Sequence, residues 1–162
     1  MFPIGRYIPL LDNESPNIWR RLLDAGHEIG YHSLGHTRLA GATVDELREE
    51  IAQFNTLVGE AVGDPAFRVR YARAPFGDLG NDPTNFREAA HELGIIWVLW
   101  QSIPIPALSS FRLEESDSIR NGDIALFHDN WQEIDYLEPY MQACRERRFE
   151  MVTLSGLHLF GD

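Results

Sequence analysis

The sequence contains no lysine, because all 14 of its basic residues are arginine. This absence excludes a phosphate-loop lysine, a Schiff-base lysine and pyridoxal chemistry, each of which depends on a lysine amine. Cysteine is nearly absent as well, since Cys144 stands alone. A single cysteine cannot form an internal disulfide, a Cys-x-x-Cys pair or an iron–sulfur cluster.

Positive charge is scarce, since 25 acidic residues outnumber 14 basic ones and give a net charge of −11. Nucleic acids and anionic membranes attract basic surfaces, so we expect neither as a partner. No apolar run reaches the roughly 18 residues of a membrane-spanning helix, and we expect no membrane span. The signatures Gly-x-Ser-x-Gly, Gly-x-Gly-x-x-Gly and His-Glu-x-x-His are also missing. Their absence argues against an α/β-hydrolase, a dinucleotide-binding enzyme and a zinc protease of that type.

A length of 162 residues with 44 % hydrophobic residues predicts a single domain over residues 1–162. Apolar runs that predict strands alternate with patterns that predict helices. The predicted strands are residues 2–8, 27–31, 67–72, 95–100, 123–127 and 151–154, and the predicted helices are residues 16–25, 44–61, 82–94 and 134–148. This alternation favours an α/β fold with a mostly parallel sheet, in which ligands bind at the carboxyl ends of the strands.

Three polar clusters directly follow predicted strands. They are residues 32–36 (H-S-L-G-H), residues 73–77 (R-A-P-F-G) and residues 128–129 (H-D). Because the carboxyl ends of parallel strands share one rim, we expect the three clusters to converge there.

The two histidines of the first cluster, His32 and His36, have the spacing of metal ligands. Residues four apart lie on one face of a helical turn, so both imidazoles can reach one ion. Neutral imidazole suits zinc and other late first-row metals, but two unrelated surface histidines would show the same spacing. A catalytic zinc site usually takes three protein ligands and a water, and only two are identified by this pattern.

The other clusters each have a structural and a functional interpretation. Arg73 is either part of a surface salt bridge or a rim guanidinium that needs an acceptor. His128 is either a satisfied core histidine or a general acid, and Asp129 either orients an imidazole or caps the next helix. Phe76 either forms an apolar wall or packs in the core, and Pro75 shapes the turn.

These segments resemble the motifs of the polysaccharide deacetylase family, also called the NodB-homology or carbohydrate esterase family 4 group. Residues 26–39 (G-H-E-I-G-Y-H-S-L-G-H-T-R-L) resemble its metal-binding segment, with the core H-(S/T)-x-x-H. Residues 73–77 resemble its R-x-P-(Y/F)-G segment, and residues 122–129 (G-D-I-A-L-F-H-D) resemble its final segment. The resemblance covers about residues 2–157 and implies a distorted (β/α) barrel with fewer than eight strands.

The resemblance implies a reaction that removes N- or O-acetyl groups from a carbohydrate, which for an N-acetyl group acts on a carbon–nitrogen bond other than a peptide bond. His32 and His36 would be ligands of a divalent metal, commonly zinc, which polarises the acyl carbonyl and acidifies a bound water. The carbohydrate substrate would be N-acetylated in the commonest case.

The resemblance also implies roles for the remaining cluster residues. His128 would protonate the leaving amine, and Arg73 would pair with the carboxylate of the general base. Pro75, Phe76 and Leu126 would form the acyl pocket, where the Phe76 backbone N–H serves the oxyanion.

The chain departs from the family pattern at the first motif, because it contains no Asp-Asp pair. In the family that pair supplies a metal ligand and the general base. The residues from Met1 onward resemble the second strand, so we expect the first strand, the third ligand and the base to be absent together. Residues 100–106 (W-Q-S-I-P-I-P) also lack the acidic residue of the fourth motif. Two hypotheses stay open: a deacetylase chain given without its first strand, and a non-catalytic carbohydrate-binding or regulatory module.

Overall fold

The computed structural model describes residues 1–101 and 120–157, and the chain divides into two compact units, Met1–Leu99 and Trp100–Asp162. Most of the segment 100–106 therefore lies outside the described residues. The elements in chain order are α1 (Ile8–Glu14), α2 (Ile18–Asp24), α3 (Val44–Val62), β1 (Tyr71–Ala72), α4 (Thr84–Leu93), β2 (Ile96–Trp97) and α5 (Trp131–Glu146). Among the described residues, no helix is long and apolar enough to cross a membrane.

Four extended segments of the first unit run side by side in chain order. β1 pairs with β2 in parallel, with Tyr71 opposite Ile96 and Ala72 opposite Trp97. On the other edge of β1, Tyr31 forms a parallel bridge with Ala72. Beyond Tyr31, the Met1 amino group donates to the Glu28 carbonyl, and the Gly30 N–H donates to the Met1 carbonyl at 2.7 Å. The parallel α/β arrangement predicted for this part of the chain is confirmed.

α3 confirms the helix predicted over residues 44–61 and packs into the hydrophobic core. The Thr43 hydroxyl accepts the Glu46 N–H while the Glu46 carboxylate accepts the Thr43 N–H, which completes a capping box. The helix ends at Gly63, whose φ of +68° is accessible to glycine without strain. Its buried residues follow helical spacing: Leu47, Ile51, Phe54, Asn55, Val58, Gly59 and Val62. The Phe54 ring meets the Tyr31 ring edge-on, with centroids 5.4 Å apart.

Gly30 lies where two segments approach each other closely. A Cβ atom at this position would lie 2.4 Å from the Phe2 ring and 2.9 Å from the Tyr71 carbonyl oxygen. The Phe2 ring also lies beneath the Arg73 guanidinium, whose central carbon is 4.3 Å from the ring centroid. The absence of a side chain at Gly30 therefore lets Phe2 support the first residue of the R-A-P-F-G cluster.

The prediction of a strand over residues 2–8 is wrong, because none of these residues belongs to a strand. Gly5–Tyr7 form a 3-10 turn, and α1 begins at Ile8 with Pro9 in its first turn. Proline is well suited to this position because its fixed φ matches the helix and its missing N–H is not needed there. Ile8 is fully buried from a helix, and a short apolar run fits a buried helix as well as a strand.

The helix predicted over residues 16–25 is confirmed in part, because α2 lies within it. Ser15 follows the last residue of α1, and Asn17, with a φ of 60°, precedes the first residue of α2. The predicted α4 is confirmed, and it ends before Gly94. The strands predicted over residues 27–31, 67–72 and 95–100 lie at the right places, but regular pairing is limited to the Tyr31 bridge, β1 and β2.

The second unit contains α5, which confirms the helix predicted over residues 134–148. The helix begins after Asn130, whose side-chain oxygen accepts the Glu133 N–H at 3.0 Å. Tyr140 and Cys144 are buried on α5, and three partly buried residues pack against them: Ala125, Phe127 and Phe149. The predicted strand 123–127 contains a single bridge residue, Ala125.

The strand predicted over residues 151–154 is wrong. These residues lead into a 3-10 turn, Leu154–Gly156. The N–H groups of Gly156 and Leu157 donate to the Thr153 carbonyl at 3.0 and 3.1 Å. The backbone here satisfies its hydrogen bonds locally, whereas a strand needs a neighbouring strand.

Removal of the α3 cap tests the first step of this account. We expect Thr43→Ala to lower the free energy of unfolding by about 1 kcal/mol, because the Glu46 N–H loses its acceptor. Thr56→Ala is the matched control, since that hydroxyl donates to the Ala52 carbonyl within the helix. Alanine at position 56 should be neutral or slightly stabilising, because alanine has the higher helix propensity. Equal losses in urea unfolding would contradict the capping interpretation.

The close approach at Gly30 is tested by adding one methyl group. We expect Gly30→Ala to lower the free energy of unfolding by about 1–3 kcal/mol, because the Phe2 ring must move. In Gly35→Ala the nearest atom to the new Cβ would be the Thr37 methyl carbon, at 3.6 Å. That control should change stability by less than about 0.5 kcal/mol. Similar melting temperatures for the two variants would show that Gly30 is not constrained by Phe2.

Candidate active site

The loop after Tyr31 brings the two predicted metal ligands together. The ring centroids of His32 and His36 lie 5.1 Å apart, and both side chains are half-buried. The expected helical turn is wrong, because Ser33 and His36 have left-handed backbone conformations, with φ of 61° and 58°. The two rings meet through an irregular loop, which stores backbone strain of the kind that clusters at functional sites.

Hydrogen bonds from three directions hold this loop. Within it, the hydroxyl of fully buried Ser33 accepts the His36 N–H at 2.7 Å. From α3, the Glu50 carboxylate accepts the Leu34 N–H at 2.8 Å. From the first segment, the Gly5 N–H donates to the Ser33 carbonyl at 2.9 Å. These contacts offset the strain and fix the backbone that carries both imidazoles.

The His32 ring is oriented by the backbone of the neighbouring cluster. Its Nδ1 lies 2.8 Å from the Arg73 carbonyl oxygen. A carbonyl oxygen only accepts hydrogen bonds, so the Nδ1 of His32 must carry the proton. This tautomer leaves the Nε2 lone pair as a ligand, and a backbone carbonyl is a common partner of metal-binding histidines.

Arg73 lies beneath the surface rather than in an exposed salt bridge, with only 6 % of the residue accessible. Its guanidinium donates to the Leu99 carbonyl at 3.2 Å and stacks over the Phe2 ring. Burial lowers the pKa of Arg73 to about 10, because desolvation penalises the charged form. The side chain is therefore still a cation at neutral pH.

Phe76 lies against His36 and is 55 % exposed, so the core-packing interpretation is wrong. Its ring centroid is 4.7 Å from the His36 ring and 4.7 Å from the central carbon of the Arg38 guanidinium. Buried Pro75 begins the turn, and Phe76 adopts a left-handed φ of 62° within it. Arg38 is in turn held by an ion pair of 2.6 Å with Asp78. The turn thus presents an apolar ring beside the second predicted metal ligand.

The first unit contains a cleft of 610 Å³, and part of its lining directly follows His36 in the sequence. It is lined by residues 37–42 and by the side chains of four α3 residues: Glu46, Glu49, Glu50 and Gln53. None of the predicted site residues lines it, so the candidate site and this cleft are separate features.

His128 and Leu126 belong to the second unit, where Leu126 is half-buried and His128 is exposed. The His128 Nδ1 lies 2.9 and 3.0 Å from the two carboxylate oxygens of Glu133. That carboxylate also accepts the His128 backbone N–H and, at 2.9 Å, the Asn130 side-chain amide. Burial raises the pKa of Glu133, but these hydrogen bonds outweigh burial and hold the pKa below its usual value.

Sequence reasoning missed Glu133, and considered only Asp129 as the residue that orients the imidazole or caps the helix. The structure gives the imidazole contact to Glu133 and the cap to Asn130. The signal is the spacing N-W-Q-E over residues 130–133, since a Glu three residues after an N-cap can turn back toward it. The interpretation of His128 as a satisfied core histidine is also wrong, because 59 % of its side chain is accessible.

The described residues supply some of the protein ligands that a catalytic metal site needs. His32 and His36 supply two imidazoles, which suit zinc or cobalt, and the His32 tautomer is the one that ligation requires. Within residues 1–101 and 120–157, no group of three or more His, Cys, Asp or Glu side chains is arranged to hold a metal. The described residues thus fit two of the three protein ligands of a catalytic zinc site.

Comparison with known proteins identifies the same family whose motifs residues 26–39 and 73–77 resemble. The family profile for polysaccharide deacetylase matches residues 1–98. A chitooligosaccharide deacetylase from Sinorhizobium fredii is 27 % identical over 132 residues, which cover 79 % of this chain and 57 % of that protein. The chain thus spans little more than half the length of this relative.

Two solved structures share the fold. One is a carbohydrate esterase family 4 pseudoenzyme from Bacillus anthracis, with 21 % identity, a TM-score of 0.76 and coverage of 96 % of this chain and 53 % of that one. The other is a family 4 acetyl xylan esterase from Clostridium thermocellum in complex with a cobalt ion, with 23 % identity, a TM-score of 0.72 and coverage of 95 % and 73 %. Because the family profile matches more than half of the chain, the protein belongs to the polysaccharide deacetylase family, carbohydrate esterase family 4.

Proposed function

We propose that the protein is a metal-dependent deacetylase that removes N- or O-acetyl groups from a carbohydrate and that, with an N-acetylated substrate, acts on a carbon–nitrogen bond other than a peptide bond. The observation that carries the proposal is the pairing of His32 and His36, with ring centroids 5.1 Å apart and the His32 Nδ1 bound to a backbone carbonyl. The names of the relatives support the substrate class, since one acts on chitooligosaccharide and another on acetyl xylan. An N-acetylated oligosaccharide is the substrate we propose first.

The proposal includes the architecture in which the site is built. We propose that residues 1–162 form one NodB-type domain with a distorted (β/α) barrel of fewer than eight strands. The four parallel segments of the first unit, which follow one another in chain order with helices between them, support an arc of such a barrel.

His32 and His36 would hold a divalent metal, with zinc favoured by the ligand type. When bound, the metal supplies Lewis-acid polarisation of the acetyl carbonyl and a water of lowered pKa. Phe76 would cover one side of His36 and contact the acetyl methyl group, with Pro75 setting the turn. The Phe76 backbone N–H would donate to the developing oxyanion.

The remaining residues would pair with the general base, transfer a proton and complete the acyl pocket. Arg73, whose buried guanidinium stays positive at neutral pH, would pair with the carboxylate of a general base, which no Asp-Asp pair in this sequence supplies. In its doubly protonated form, His128 would donate the Nε2 proton to the leaving amine and keep the Nδ1 proton, which faces Glu133. Leu126 would complete the apolar wall of the acyl pocket.

A non-catalytic carbohydrate-binding or regulatory module is the second candidate. The sequence lacks an Asp-Asp pair, and the described part of the chain contains no three-ligand group. A pseudoenzyme of the same family has the same fold. This candidate predicts saccharide binding without turnover, unchanged by chelators.

Zinc titration of the full chain tests the metal site. We expect His32→Ala and His36→Ala each to weaken zinc binding at least about tenfold, because each removes one imidazole ligand. His91→Ala is the matched control, since His91 is an exposed histidine on α4. Calorimetry should find the control equal to the wild type. Equal zinc affinity in the wild type and all three variants would contradict the proposed ligand pair.

Acetate release from N-acetylglucosamine oligomers tests the reaction. With zinc or cobalt present we expect turnover that is about 10²–10⁴-fold below that of an enzyme with a general base, because this sequence lacks the Asp-Asp pair. We expect His128→Gln to lower kcat by a further factor of about 10²–10⁴ with KM nearly unchanged. Binding of the oligomers without acetate release, insensitive to a chelator, would replace the deacetylase with the binding module.

A further inference from the structure

We propose that Glu133 is the positioning residue of His128. Its carboxylate holds the His128 ring in one orientation with the proton on Nδ1, so that Nε2 is the nitrogen turned to a leaving group. The catalytic consequence rests on the proposed deacetylase function, whereas the positioning itself is a property of the chain that can be measured without turnover.

The contacts of the Glu133 carboxylate support this role. Only 8 % of Glu133 is accessible, while 59 % of the His128 side chain is. Both carboxylate oxygens lie within 3.0 Å of the His128 Nδ1. Because hydrogen bonds hold the Glu133 pKa below its usual value, the carboxylate is ionised at neutral pH and only accepts. The proton of a neutral His128 must therefore reside on Nδ1.

The His128 backbone adds to the constraint on its ring. Its N–H donates to the same carboxylate that faces Nδ1, so backbone and side chain of one residue are held by one group. The Asn130 amide donates to the carboxylate at 2.9 Å and fixes it from the other side. A buried carboxylate with three donors has little freedom to leave the imidazole.

A purely structural role for Glu133 is the competing interpretation. Glu133 is the third residue of α5, where a Glu or Gln that turns back toward the N-cap stabilises the start of a helix. Asn130 caps the same helix by accepting the Glu133 N–H at 3.0 Å. Since glutamine serves the third position nearly as well as glutamate, Glu133→Gln removes the charge while keeping the cap.

The first test is nuclear magnetic resonance of the full chain labelled with ¹⁵N at histidine. The wild type should show a downfield Nδ1–H proton from His128, assigned by its absence in His128→Gln. Glu133→Gln should shift that resonance upfield or lose it to solvent exchange. Asp135→Asn, the same acid-to-amide change on the exposed side of α5, should leave it in place.

Asn130→Ala separates capping from positioning. It removes the acceptor of the Glu133 N–H and the amide that donates to the Glu133 carboxylate, but it leaves both contacts of that carboxylate with His128. We expect a lower melting temperature with the Nδ1–H resonance retained. If Asn130→Ala and Glu133→Gln lose the resonance equally, Glu133 acts only through the helix and the proposal is overturned.

The second test is the kinetics of acetate release. Glu133→Gln should lower kcat by about 10- to 100-fold, less than loss of the histidine itself, with KM nearly unchanged. In a His128→Gln background the same substitution should cost less than about twofold, because the two residues act as a unit. Additive losses would contradict positioning through His128.

The two proposals fail in different ways. A wild type with the Nδ1–H resonance but no acetate release would end the deacetylase proposal and leave Glu133 as the residue that holds His128. A wild type whose His128 carries its proton on Nε2 would overturn the role of Glu133, whatever its activity.

Discussion

Tyr31 donates its backbone N–H to the Tyr71 carbonyl at 2.9 Å and accepts the Arg73 N–H at 2.8 Å. These two hydrogen bonds fix the register between the segment that leads to the histidine loop and the segment that leads to the R-A-P-F-G turn. His32 directly follows Tyr31, and its Nδ1 bonds to the Arg73 carbonyl. Phe54 of α3 packs against the Tyr31 ring, so the core helix supports the same point. The candidate site thus depends on one backbone pairing and the core behind it.

The loops that follow this backbone pairing contain strained backbone conformations. Ser33, His36 and Phe76 are non-glycine residues in left-handed conformations, each worth on the order of 1–3 kcal/mol of strain. The buried Ser33 hydroxyl and the Glu50 carboxylate provide hydrogen bonds that offset this cost. Three strained positions at one end of the parallel segments indicate that this rim is shaped for something other than stability. The chain belongs to the polysaccharide deacetylase family, and the metal site that we propose uses the two imidazoles placed there.

Sequence patterns predicted best where the signal was local. The helical spacing of apolar residues predicted α3, and the histidine spacing predicted a pair that the structure does bring together. The patterns failed where tertiary contacts decide. The helical geometry expected at His36 gives way to a loop that Glu50 of α3 and the Gly5 backbone hold, and the buried Ile8 belongs to a helix rather than a strand. Glu133 was missed because its partner, His128, lies five residues away on the other side of a helix start.

The central claim is that His32 and His36 bind one metal ion through their imidazoles. X-ray absorption at the zinc edge of the zinc-loaded chain tests this claim most directly. The account predicts nitrogen ligands at about 2.0–2.1 Å, together with the outer-shell scattering of two imidazole rings. A zinc shell made of oxygen ligands alone, without imidazole scattering, would contradict it.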